Sequence, residues 1–211
     1  LEGATQHIDA ASIRGEGAIV SYVRGNIAAR QGHLRSALTY FDEAIQIDPT
    51  HVRARLNRTS IHMANEDAQL ALDDAKVLLE LAPGLALAKL RRAEANMMLS
   101  NWEEAKDDLE QIVEDAPHHH HALTQLASCF MAMDRPEKAE APLNEALRLA
   151  PDHTEAWHQR GLLYLDWAQE ESALNDFEAA VRCDGNHLGA RLRIAAIHHK
   201  AERFPEALGA W

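Results

Sequence analysis

Apolar and small residues recur along this chain on two superposed rhythms. The short rhythm is helical. Leu38, Phe41, Ala44 and Ile45 stand three or four residues apart and form one stripe on a helix. The long rhythm is 34 residues. Pro49, Pro83, Pro117 and Pro151 follow it, and Gly185 continues the series. Ala37, Ala71, Ala105, Ala139, Ala173 and Ala207 share a second phase. Gly25, Thr59, Ala93, Ala127, Gly161 and Ala195 share a third, always small, and Phe41, Ala75, Leu109, Leu143, Phe177 and Trp211 a fourth, always apolar. The copies are residues 18–51, 52–85, 86–119, 120–153 and 154–187, with a partial copy at 188–211.

Each copy predicts two helices. In the first copy the spacing places one helix over 18–31 and a second over 34–47. Gly32-His33 makes the turn, because Gly ends helices readily. Asp48-Pro49 stops the second helix, because the residue before Pro is pushed out of the α region. Glu66 and Ser100 hold the turn position in the next two copies, which suits a type I turn. Pro142 falls a few residues into the second helix of the fourth copy and predicts a kink near Lys138–Pro142. Residues 1–17 are polar, with Gly3, Gly15 and Gly17; they predict a partly ordered lead-in with a short helix over 8–13. The last copy stops at Trp211 partway through its second helix, as in a piece of a longer array or an array ended by a differently packed cap. No single pair can shelter its own apolar stripe, so the pairs must stack.

Trp157-x-x-Arg160-Gly161-x-x-Tyr164, followed by Ala173-x-x-x-Phe177-x-x-Ala180, resembles the tetratricopeptide repeat (TPR) signature. Arg160 replaces the usual Leu, and Gly185 stands where the signature has Pro. The resemblance implies an all-α fold, a right-handed α-α superhelix of antiparallel helix pairs, covering residues 18–211. It also implies non-catalytic protein binding, with a peptide or helix lying in a groove lined by the first helices. By phase, that groove holds Tyr22, Asn26, Arg53, Leu56 and Asn57, then Leu90, Arg91, Glu94, Gln125 and Gln159. Asn26, Asn57 and Arg91 match three positions of the clamp with which some family members hold a C-terminal carboxylate, whereas the two Lys positions hold Tyr22 and Leu87, so the clamp is incomplete.

Charge narrows the partners. The formal net charge is -12, which opposes nucleic acid, whose binding needs Lys and Arg on phosphates. The same sign opposes an anionic membrane surface, and no apolar run is long enough to insert directly. No basic segment followed by an apolar one opens the chain, so no leader is visible in it. The cysteines, Cys129 and Cys183, read as unpaired, buried, small apolar residues and leave the compartment open between cytoplasm and bacterial periplasm. Scarce Lys beside Arg, with abundant Ala, points to a bacterial, GC-rich source.

Arg24, Arg58, Arg92 and Arg160 occupy the phase that normally holds Leu. Sixteen residues on, Asp74, Asp108 and Asp176 occur only in copies that carry the Arg. The pattern predicts three ion pairs between the helices of a repeat, Arg58–Asp74, Arg92–Asp108 and Arg160–Asp176, rather than an Arg ladder for an anionic ligand. The acidic second helix of the third copy reads as a solvated outer face. His118-His119-His120-His121 keeps the Pro117–Pro151 spacing, so it occupies repeat positions; it reads as solvated turn residues, as do His51, His153 and His187. Neighbouring repeats stand about 10 Å apart, so His from successive turns should not share an ion. His153 and His158 show no acidic partner suited to a metal site. No phosphate loop, nucleophile elbow or H-E-x-x-H motif occurs, so neither cofactor, metal nor catalytic residue is assigned. Beside the scaffold stand two other roles: an assembly part of a bacterial export or exopolysaccharide machine, and the regulatory arm of a larger enzyme. The end at Leu188–Trp211 offers a surface for self-association.

Overall fold

A computed structural model describes the backbone of residues 2–200 and the side chains of residues 16–200. All regular structure in the described residues is helical. The elements are α1 (Glu2–Arg30), α2 (Leu34–Ile47), α3 (Val52–Ala64), α4 (Ala68–Leu81), α5 (Ala86–Met98), α6 (Trp102–Asp115), α7 (His120–Ala132), a 3-10 turn (Pro136–Lys138), α8 (Glu140–Leu149), α9 (Thr154–Asp166), α10 (Glu170–Cys183) and α11 (Leu188–Lys200). Two compact units result: Leu1–Asn101, holding α1–α5, and Trp102–Trp211, holding α6–α11. Within each unit consecutive helices pack side by side, and the short turns make them antiparallel.

The predicted phases are the buried ones. Ala37, Phe41 and Ala44 of α2 are fully buried, with Ala54 and Ile61 of α3 in the same cluster. Ala173, Phe177 and Ala180 of α10 cluster with Ala190, Ile194 and Ile197 of α11. The small third phase has a steric cause. A Cβ on Gly25 would stand 2.5 Å from Phe41 Cε1, and one on Gly161 would stand 2.6 Å from Phe177 Cε1. Copies with a smaller residue on the second helix carry a larger one here: Thr59 with Ala75, and Ala127 with Leu143.

Three expectations are corrected. First, α1 is one helix from Glu2 to Arg30, not a loose lead-in followed by a separate repeat helix; Gly15 and Gly17 do not interrupt it. Second, the turn after each first helix is not type I. Gly32, Glu66, Ser100, Asp134 and Ala168 all have positive φ, between 56° and 78°. Each sits in a Schellman motif: Asp67 N–H donates to the His62 carbonyl and Glu66 N–H to the Met63 carbonyl, and the same pair of bonds recurs at the other four turns. Third, Pro142 does not kink a continuous helix. The segment splits at Ala139, and α8 begins at Glu140. Pro142 then lies in the first turn, where a backbone N–H has no helical partner to lose. Ala207, Trp211 and the self-association surface beyond Lys200 lie outside the described residues.

Candidate functional site

The Arg–Asp pattern forms ion pairs in the two repeats whose helices share a unit. Arg160 Nε and Nη2 donate to both oxygens of Asp176, at 2.7 and 2.9 Å. Arg58 does the same to Asp74, at 2.8 and 2.5 Å, and Arg55 adds a third bond to Asp74 at 3.0 Å. The remaining guanidinium nitrogen reaches back to the preceding repeat: Arg58 Nη1 to Asp42 at 2.6 Å, and Arg160 Nη1 to Asn144 at 2.7 Å. Each Arg therefore ties three helices. The Asp176 carboxylate, then, holds the Arg160 guanidinium more firmly protonated than usual. Arg160 also lies 4.9 Å over the Trp157 ring and 5.6 Å from the Tyr164 ring centre. Arg92 and Asp108 belong to different units.

Two further scaffold roles were not evident from sequence. In three copies the phase of Trp157 holds a donor that closes the preceding turn: Trp157 Nε1 to the Pro151 carbonyl at 2.8 Å, Arg55 Nη2 to Pro49 at 3.2 Å, and Arg191 Nε to Gly185 at 2.8 Å. Arg can thus replace Trp because both reach the same carbonyl. The turn histidines are helix N-caps. His51, His119 and His187 accept through Nδ1 from the N–H of Ala54, Ala122 and Ala190, at 3.0 to 3.1 Å. Only His118 of the four-His run is exposed; the other three are half-buried.

With these positions committed to the scaffold, the first-helix face of unit 1 carries the candidate binding residues. Asn57 Nδ2 donates to Asn26 Oδ1 at 2.7 Å, joining α1 and α3. Tyr22 packs on Phe41 and His51 and is half-buried, as is Leu56. Arg53 is exposed. Arg91 donates to Glu94 at 2.7 Å on α5. Leu90 departs from its expected place: it is buried, so it belongs to the core. Leu87, one of the incomplete clamp positions, is 39% exposed and supplies apolar surface on the same helix.

In unit 2, Gln125 lies 3.1 Å from His121 Nε2, and Gln159 donates to Glu155 at 2.7 Å. Histidines from successive repeats meet here, contrary to the expectation from repeat spacing. Backbone separation is bridged by side-chain length: the His120 and His153 rings are 4.8 Å apart, and so are those of His158 and His187. Burial, then the nearby His120 and His121, holds His153 below the ordinary imidazole value. The nearby His158 imidazole, then the Gln159 amide, holds Glu155 below the usual carboxylate range. The cysteine expectation is half corrected: Cys129 is buried and its thiol is pushed up to about 11 by desolvation, but Cys183 is exposed, and both are free.

Comparison with known proteins bears on the fold. A sequence profile described as Tetratricopeptide repeat matches residues 97–161, and two others of the same description match 18–51 and 154–187. No curated protein sequence matches the chain. Solved structures do. PilW, described as a widely conserved type IV pilus biogenesis factor, has a TM-score of 0.80 at 17% identity, covering 92% of this chain and 90% of that one. MamA from Desulfovibrio magneticus has 0.74 at 18%, covering 82% and 98%. YrrB, described as a TPR protein with an unusual peptide-binding site, has 0.68 at 20%, covering 87% and 92%. Profiles, period and helix pairs agree: the chain belongs to the tetratricopeptide repeat family.

Proposed function

We propose that this chain is a non-catalytic protein-interaction scaffold that takes an extended peptide or a helix across its first-helix face. The observation that carries this reading is the division of labour among side chains. Arg58, Asp74 and Phe41 are consumed by the fold, whereas Asn26 and Asn57 bond to each other and Arg91 to Glu94, half-buried on helices of which α3 and α5 also carry exposed Arg53 and Leu87. Two side-chain amides and a guanidinium suit the alternating N–H and C=O groups, or a terminal carboxylate, of a bound peptide. The peptide-binding site described for YrrB supports the same use of this fold. The pilus role described for PilW favours an assembly task in a bacterial export or surface machine, in which the bound segment belongs to another machine component.

The test is a selection of random and C-terminal peptides on the immobilised protein, followed by affinity measurement on the Asn26→Ala/Asn57→Ala/Arg91→Ala variant. The reading expects selected peptides to lose about tenfold or more in affinity, the equivalent of losing at least one net hydrogen bond to a charged group, with helical circular dichroism unchanged. Equal affinity for both proteins would remove these residues from the site.

A further inference from the structure

Glu155, His158 and His187 converge although they come from two repeats. One ligand-type atom from each lies within 4.8 Å of the others. His158 Nδ1 is 3.9 Å from Glu155 Oε1, and His187 Nε2 is 3.8 Å from Glu155 Oε2. Tetrahedral coordination with bonds of about 2.0–2.1 Å sets its ligand atoms roughly 3.3 Å apart. The two carboxylate–imidazole separations therefore need to close by about 0.5–0.6 Å, and the widest separation, up to 4.8 Å, by about 1.5 Å, which side-chain rotation supplies. Glu155 and His158 stand one turn apart on α9, on the same face, and His187 is the N-cap of α11.

The surroundings are shaped for these side chains. His158 Nδ1 is buried and makes no hydrogen bond, which is costly for a polar atom with no role. Its ring packs on Phe177, with centres 5.7 Å apart. Gly189 makes room for it: a Cβ there would stand 3.2 Å from His158 Nε2. Gln159 donates to Glu155 Oε1 and so fixes the orientation of the carboxylate. Two imidazoles and a carboxylate are the donor set of zinc and its first-row neighbours, and three protein ligands leave one position open.

We propose that Glu155, His158 and His187 form a divalent transition-metal site, with zinc as the matching ion, ligated by His158 Nδ1, His187 Nε2 and one Glu155 oxygen. This site does not depend on the peptide reading. Binding has a local consequence. His187 now uses its Nδ1 lone pair to accept from Ala190 N–H. A metal on Nε2 requires the ring proton on Nδ1, so that cap is given up. Zinc should therefore loosen the Ala190 amide and leave the Ala54 amide, capped by His51, unchanged.

The experiment titrates zinc into the metal-free protein by calorimetry, with cobalt absorption reporting coordination geometry. Four variants accompany the wild type: Glu155→Gln, His158→Ala, His187→Asn, which keeps a capping side chain, and His118→Gln/His121→Gln, which disrupts the adjacent histidine run. We expect one ion per chain and tetrahedral cobalt bands. Loss of affinity should be about tenfold or more in each of the first three variants, with native circular dichroism, and the last variant should bind like the wild type. Zinc should speed exchange at Ala190 alone of the two capped amides. Absence of binding, affinity unchanged in His158→Ala, or affinity lost only in the His118/His121 variant would overturn the site.

Discussion

A methyl group at residue 161 would meet the Phe177 ring at 2.6 Å, and Phe177 is fully buried and cannot swing away. Gly161→Ala should therefore destabilise the protein by about 1–2 kcal/mol, overpacking outweighing the roughly 1 kcal/mol of helix propensity that Ala brings. Adding Phe177→Leu, which copies the Ala127 and Leu143 pairing, should restore most of the loss in urea denaturation. Arg160→Ala leaves the Asp176 carboxylate, 4% exposed, without its bidentate partner. A cost of about 2–3 kcal/mol is expected, below that of a fully buried pair because the guanidinium is partly solvated. His153 titrates below the ordinary imidazole value in the fold. Between the two values the unfolded chain binds a proton that the folded chain refuses, so stability falls as pH drops through that window. Unfolding midpoints at pH 7.5 and 5.5 should show the drop, and His153→Gln should reduce it. At this scale the sequence was partly legible. Arg160–Asp176 could be read because both partners vary together between copies, and the small phase at Gly161 because it repeats. The histidine caps could not, because His is not a usual capping residue, and neither could the approach of His158 to His187, which depends on rotamers rather than spacing.

The helices themselves follow from periodicity and stop signals, and α2 spans the predicted 34–47. What periodicity missed was the turn geometry. Glu66, Ser100, Asp134 and Ala168 adopt positive φ without being glycine, held by the two crossing bonds of the Schellman motif. Glycine is the strongest local sequence signal for that conformation and Asp or Asn a weaker one, so among these turns only Gly32 and Asp134 carry any. Gly32→Ala should lower stability by about 1 kcal/mol, and Ala168→Gly should raise it by about 0.5 kcal/mol once the entropy of the unfolded glycine is counted. Thermal midpoints of the two variants measure this directly. Pro142 shows the opposite case. A proline that looked disruptive is harmless because the helix begins later, at Glu140, so its missing donor falls among groups that have no partner anyway. The continuous α1 was hidden because Gly15 and Gly17 are tolerated inside it, a cost that propensity alone does not rank against the rest of the helix.

For the whole molecule, the repeat phase decides which surface is spent and which is left for a partner. Buried phases build the core of each unit, arginines and turn donors lock neighbouring helices, and the first-helix face retains amides, Arg53 and Leu87. The fold was legible because it repeats: an error in one copy is corrected by the others. The proposed face rests on family phase alone, and Leu90 shows the limit of that transfer, since its side chain fills the core instead. The most direct measurement is hydrogen exchange of the protein with and without a selected peptide at saturating concentration. The account predicts added protection on α3 and α5, centred on Asn57 and Arg91, with α4 unchanged. Protection confined to the second helices α2 and α4, with the first helices unaffected, would contradict it.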